Sequence, residues 1–164
     1  MNVEPFTIAT LTLDNEARIG ICRLPGRSGD LAGDLAQIVE WRAALVVSMT
    51  EADEMVAKGA GGLEAALGTV GIGWRHFPIH DYGAPANADM RWPQLSQELH
   101  AMLDQGQAVL LHCAGGKGRS GMVALRLLTE RGLEPDVALA LIRAMRPGAV
   151  ETQAQEAWGG SWTR

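Results

Sequence analysis

Ala108-Val109-Leu110-Leu111-His112-Cys113-Ala114-Gly115-Gly116-Lys117-Gly118-Arg119-Ser120-Gly121 is the stretch on which the fold turns. Its opening residues are apolar without alternation, the pattern of a strand covered on both faces of a sheet. Glycines then crowd the chain at 115, 116 and 118, and residues 120–131 read as a helix. A buried strand feeding a glycine-rich loop and then a helix is a unit of the layered α/β architectures, where ligands gather at the carboxyl ends of strands. Cys113 stands at such an end.

On either side of this unit, strands and helices alternate. Residues 6–13 and 18–24 read as strands around the turn Asp14-Asn15-Glu16. The run Leu24-Pro25-Gly26-Arg27-Ser28-Gly29 breaks that pattern, and from Asp30 the residues Leu31, Leu35, Ile38, Val39 and Trp41 mark an amphipathic helix ending near Arg42. Residues 43–49 form a second non-alternating run of strand length, and a glycine-interrupted helical stretch covers 51–67. Residues 74–79 read as a strand that Pro78 places at an edge or an end, and 80–87 as a loop. Helices follow over 89–104 and 135–145, with a short one over 151–158. The expectation is one α/β domain over residues 1–164, a central, mostly parallel sheet flanked by helices.

Composition agrees with one domain, since 164 residues that are 47% apolar suffice for one core but not comfortably for two. A net charge of -5 and the lack of any Lys/Arg run argue against nucleic-acid binding by phosphate neutralisation. A locally positive pocket stays open, because backbone amides and one or two cations can build it. Cys22 and Cys113 belong to no C-x-x-C pattern, so neither a disulfide framework nor a structural zinc site is read, and no metal or other cofactor is expected. His76, His80 and His100 lack metal-ligand partners at useful spacing, Cys22 reads as core, and Trp41, Trp74, Trp92, Trp158 and Trp162 read as packing residues. With no basic segment leading an apolar run and no stretch near the ~20 apolar residues of a membrane span, the expectation is a soluble, cytoplasmic monomer.

The chemistry lies in the spacing of Cys113 and Arg119, with five residues between them. Glycines let the backbone curl until successive N–H groups face one anion, and the helix that follows adds its positive end. The cradle would run through Ala114, Gly115, Gly116, Lys117, Gly118 and Arg119. The same donors favour a thiolate at Cys113, the form that attacks phosphorus. Arg119 can bind two phosphate oxygens through its planar fork, a geometry lysine cannot reproduce. A nucleotide-binding loop would need Ser or Thr after the lysine, whereas Lys117 precedes Gly118. A sulfur-transferase loop lacks the Arg-Ser pair, and a merely structural thiol leaves Gly115, Gly118, Arg119 and Ser120 without a reason.

This segment resembles the C-x5-R signature of the protein tyrosine phosphatase superfamily. The resemblance implies that Ser120 hydrogen-bonds the sulfur and assists the second step, and that His112 helps to set the loop and the thiol. It also implies an upstream general acid. Phe77-Pro78-Ile79-His80-Asp81-Tyr82-Gly83-Ala84-Pro85 resembles that loop in small dual-specificity enzymes, particularly the kinase-associated phosphatase group, which makes Asp81 the acid and then the base; Asp89 is the next candidate. Leu24-Pro25-Gly26 and the helix after Asp30-Leu31 resemble the same group, and Arg146-Pro147-Gly148-Ala149-Val150-Glu151-Thr152-Gln153-Ala154-Gln155 resembles its C-terminal segment, giving Gln155 a supporting role. The implied activity is metal-free hydrolysis of phosphotyrosine, and of phosphoserine or phosphothreonine, in phosphoprotein substrates through a cysteinyl-phosphate. Lys117 resembles a lysine of the phosphatase-and-tensin lipid phosphatases, so a phosphoinositide is the alternative substrate, although Ala114 stands where those enzymes carry a second lysine. A non-catalytic phosphoprotein-binding module is a further alternative; its mark would be a missing Cys, Arg or acid, and all three are present.

Overall fold

In the computed structural model, which describes residues 5–86 and 88–160, five strands share one sheet: β1 (Ala9–Thr12), β2 (Arg18–Cys22), β3 (Leu45–Ser48), β4 (Gly73–His76) and β5 (Ala108–His112). Their order is β1-β2-β5-β3-β4. β2, β5, β3 and β4 run parallel to one another and β1 is antiparallel to β2. Every residue of β3 and β5 is buried, as their lack of alternation requires. The helices are α1 (Leu31–Trp41), α2 (Ala52–Ala57), α3 (Leu63–Thr69), α4 (Arg91–Asp104), α5 (Gly118–Glu130), α6 (Pro135–Met145) and α7 (Gln153–Gly160).

Side-chain alternation along the buried strands divides the core. Ile19, Ile21, Leu45, Val47, Val109 and Leu111 join a cluster with residues of α4, α5, α6 and α7. Cys22, Val46 and Leu110 join another with Ile38 of α1 and Leu63 and Leu67 of α3. Cys22 is therefore a core residue, in a different cluster from Cys113. Burial on both faces follows from helices covering both, the doubly wound arrangement that parallel strands need.

Boundaries differ from the sequence expectation where local chemistry intervenes. The helical stretch read over 51–67 is two helices, because Gly59 adopts a left-handed φ of 82° and ends the first. A reciprocal capping box between Glu51 and Glu54 starts α2. β4 stops at His76, before Phe77-Pro78, and lies at the edge of the sheet. α5 begins at Gly118, two residues before the helix read from Ser120. Asn87, at the end of the loop read over 80–87, and Trp162 lie outside the described residues. Among the described residues no helix is long and apolar enough to cross a membrane.

Register fixes the level of the site. Cys22 and Ser48 both pair with His112, and Ser48 pairs with His76, so the parallel strands end side by side. Cys113 leaves the sheet at that edge.

Candidate active site

The loop from Cys113 to Lys117 has its carbonyls bonded on the outside. The Ala114 oxygen accepts from Leu24 N (3.2 Å) and Arg27 Nη1 (2.9 Å). Arg146 donates from Nη2 to the Gly115 oxygen (3.0 Å) and from Nε to the Gly116 oxygen (2.9 Å). The Lys117 oxygen accepts from Gly121 N (3.0 Å) and Val150 N (3.1 Å). In a planar trans peptide the C=O and N–H point opposite ways, so carbonyls turned outward turn the following amides inward. Gly116 makes this curl possible: its φ is 71°, and a Cβ there would lie 2.6 Å from the Cys22 carbonyl carbon.

Cys113 and Arg119 are buried, at 3% and 1% exposure, and the Cys113 Sγ lies 3.2 Å from Ser120 Oγ. Glu54 of α2 binds the Arg119 guanidinium bidentately, Oε1 to Nη1 at 2.8 Å and Oε2 to Nη2 at 2.7 Å. Nη1 also donates to the Ile79 carbonyl at 2.9 Å, and Asp81 Oδ1 stands 3.3 Å from Nη2. Burial alone would lower the Arg119 pKa, but the Glu54 hydrogen bonds and the charges of Cys113, Glu54 and Asp81 outweigh it and hold it above its ordinary value. The Glu54 carboxyl is lowered in turn, chiefly by the bond from Arg119. A fixed carboxylate on one side of the fork thus orients a cation that burial would otherwise disfavour.

His112 ends a chain of buried hydrogen bonds. Trp74 Nε1 donates to Ser48 Oγ at 2.8 Å, Ser48 Oγ meets His112 Nε2 at 2.5 Å, and His112 Nδ1 faces the Cys113 carbonyl at 3.3 Å. Burial lowers the His112 pKa to about 4, so the ring is neutral near pH 7. With Trp74 donating to the serine oxygen, the serine proton goes to Nε2 and the ring keeps its own proton on Nδ1, aimed at the carbonyl beside the sulfur.

The residues read from sequence do not all meet at one place. Cys113, Arg119, Ser120 and His112 share the strand end, and Asp81 approaches Arg119 from the loop after β4. Gln155 is buried beneath the acid loop, its Nε2 donating to the Gly83 carbonyl at 3.1 Å, whereas Gln153 is exposed. Asp89 is bound instead to Arg91, at 2.7 Å. Lys117 lies along the turn at Gly148, where an added Cβ would be 3.9 Å from its Nζ. Sequence reading missed Glu54, Arg27 and Arg146. A buried arginine demands an acidic partner, and Glu54 supplies it from the first helix after β3, but no local pattern marks which carboxylate that is.

A family model described as "PTP-SAK: Swiss Army Knife protein, DSP-PTPase phosphatase domain" matches residues 30–158. Cyclin-dependent kinase inhibitor 3 of Sus scrofa is 38% identical over 88 residues, taking in 52% of this chain and 41% of that protein. The chain spans 38–41% of the length of the curated relatives it matches first. A crystal structure of kinase associated phosphatase, with its catalytic-site cysteine substituted by serine, superposes with a TM-score of 0.84 at 26% identity, covering 96% of this chain and 94% of that one. Tk-PTP in its active form gives 0.61 at 30% identity, covering 84% and 85%.

Proposed function

The chain belongs to the DSP-PTPase phosphatase family, and on that premise we propose that it hydrolyses phosphomonoesters of phosphoprotein through a cysteinyl-phosphate on Cys113. The observation that carries the proposal is the shared strand end: a buried sulfur, a hydroxyl 3.2 Å away, and a buried guanidinium at the far end of a loop whose carbonyls all face out.

A phosphate dianion enters the ring of amides from Ala114 to Arg119 and takes hydrogen bonds from the Arg119 fork. Of the carboxylates on that fork, Glu54 is only 16% exposed and holds two short bonds, while Asp81 is 52% exposed and holds one at 3.3 Å. Asp81 is therefore the partner that yields to the phosphate, and Glu54 the one that stays. Freed from Arg119, the Asp81 carboxylate takes up a proton from solvent; the Cys113 thiolate then attacks phosphorus, the ester P–O bond breaks, and Asp81 gives that proton to the departing oxygen. Water then attacks the phosphocysteine, Asp81 takes a proton from it, and the P–S bond breaks with Ser120 hydrogen-bonding the released sulfur. The substrates are phosphotyrosine and phosphoserine or phosphothreonine in protein. Lys117, the residue that pointed to a phosphoinositide, lies along the turn at Gly148.

Incubation with p-nitrophenyl phosphate in the presence of a chelator tests this reading. Wild type turns over without metal and Cys113→Ser does not; turnover surviving in Cys113→Ser, or needing metal in wild type, removes the proposal.

A further inference from the structure

The start of α7 carries a capping box with two donors left over. Thr152 Oγ1 accepts from Gln155 N at 3.2 Å, and Gln155 Oε1 accepts from Glu151 N at 2.9 Å and Thr152 N at 3.3 Å. This is the reciprocal Thr-x-x-Gln pattern that satisfies the first amides of a helix. A glutamate at 155 would satisfy those amides equally well. Glutamine adds an NH2 group and threonine keeps a hydroxyl proton, and both reach the same loop: Gln155 Nε2 donates to the Gly83 carbonyl at 3.1 Å and Thr152 Oγ1 to the Tyr82 carbonyl at 3.3 Å.

That loop needs holding. Gly83 N donates to the His80 carbonyl at 2.8 Å, closing a turn over residues 80–83 whose third residue, Tyr82, sits at a φ of 61°. Turns with positive φ at that place favour Gly or Asn, and a tyrosine there is strained. Tyr82 is 60% exposed. The strained peptide matters to the carboxylate beside it, since Tyr82 N donates to Asp81 Oδ1 at 3.0 Å. Gln155 also faces the nucleophile loop: a Cβ on Gly118 would come within 3.0 Å of its Oε1. One buried amide thus separates the two loops whose spacing decides whether a proton reaches the departing oxygen.

We propose that Thr152 and Gln155 are positioning residues for the general acid, their spare donors clamping the Tyr82 and Gly83 carbonyls so that the Tyr82 amide presents Asp81 at a fixed distance from the phosphate loop. The inference rests on the reading of Asp81 as acid. It separates helix capping from loop clamping: Gln155→Glu and Thr152→Asp each keep the acceptor that caps α7 and each remove the donor that grips the loop.

The test compares kcat/KM for p-nitrophenyl phosphate, whose leaving group needs little protonation, with phenyl phosphate, whose leaving group needs much more. Asp81→Asn sets the scale of a missing acid. In Gln155→Glu and Thr152→Asp the loss for phenyl phosphate is at least ~10-fold greater than for p-nitrophenyl phosphate, as part of the ~10²–10⁴-fold that a placed acid contributes. Thr152→Ser, which keeps the hydroxyl, restores the wild-type ratio, and Gln155→Glu in an Asp81→Asn background leaves that background's ratio unchanged. An added charge or a loosened fold would lower both esters alike, so an equal loss, or none, overturns the inference while the phosphatase reading stands. A wild-type chain that hydrolyses neither ester without metal removes both together.

Discussion

Two buried charges, Arg119 and Glu130, are held in opposite ways. Glu130 is a buried anion whose four donors all come from α4 and α5: Trp92 Nε1 at 2.9 Å, Ser96 Oγ at 2.6 Å, His100 Nε2 at 3.0 Å and Arg126 Nε at 2.9 Å. Arg119 is a buried cation whose partners come from the end of β3, from α2 and from the loop after β4, and Asp81, the outermost, is half exposed. A charge kept for structure closes its shell with side chains on rigid neighbours. A charge kept for chemistry leaves one partner that an incoming anion can replace.

That contrast breaks first at the guanidinium. Arg119→Lys keeps a cation near Glu54 but loses the fork that binds two phosphate oxygens, so kcat/KM for p-nitrophenyl phosphate falls ~10²–10³-fold while the chain still folds. A loss under tenfold would mean that the amides alone bind the phosphate. Glu54→Gln is the next largest: the fork keeps its other partners but not its fixed counter-charge, and kcat/KM drops on the order of tenfold with some loss of stability. If the drop is confined to stability, Glu54 supports the fold and not the orientation of Arg119.

Glu130→Gln sharpens the other half of the comparison. Burial alone would raise the Glu130 pKa, but the donors His100, Ser96, Trp92 and Arg126 bring it from an ordinary 4.5 to about 2. A folded-state value below the unfolded one means that the stabilisation is complete above about 4.5 and is lost as pH falls towards 2. Its size is roughly 3 kcal/mol, at ~1.4 kcal/mol for each tenfold change in proton affinity. Urea denaturation at pH 7 and pH 3 reads this directly: the gap between wild type and Glu130→Gln is widest at pH 7 and narrows with acid, and kcat stays within about twofold. A gap independent of pH would show that the shell is not stabilising the charged carboxylate.

Sequence reading reached the strands and the nucleophile loop because both are local patterns. The run of Val109, Leu110 and Leu111, the glycines, and the Cys113 to Arg119 spacing lie within one short segment, and strand-loop-helix order carries them to the carboxyl ends of the strands. Glu54 was not legible, since its carboxylate meets a guanidinium 65 positions away and no local pattern marks the pairing. The break at Gly59 was visible as a glycine but not as a helix end, because only the backbone reveals the left-handed conformation. The same distance hid the grip of α7 on the acid loop, where Gln155 reaches a carbonyl 72 positions earlier.

The most direct measurement is on the sulfur itself. Rapid quench of the Asp81→Asn variant with a phosphomonoester, followed by mass spectrometry of the peptide containing residue 113, is expected to show one phosphoryl group on Cys113 that is absent from a Cys113→Ser control. A phosphoryl group on any other residue, or steady turnover with no adduct at the sulfur, would contradict the proposed chemistry.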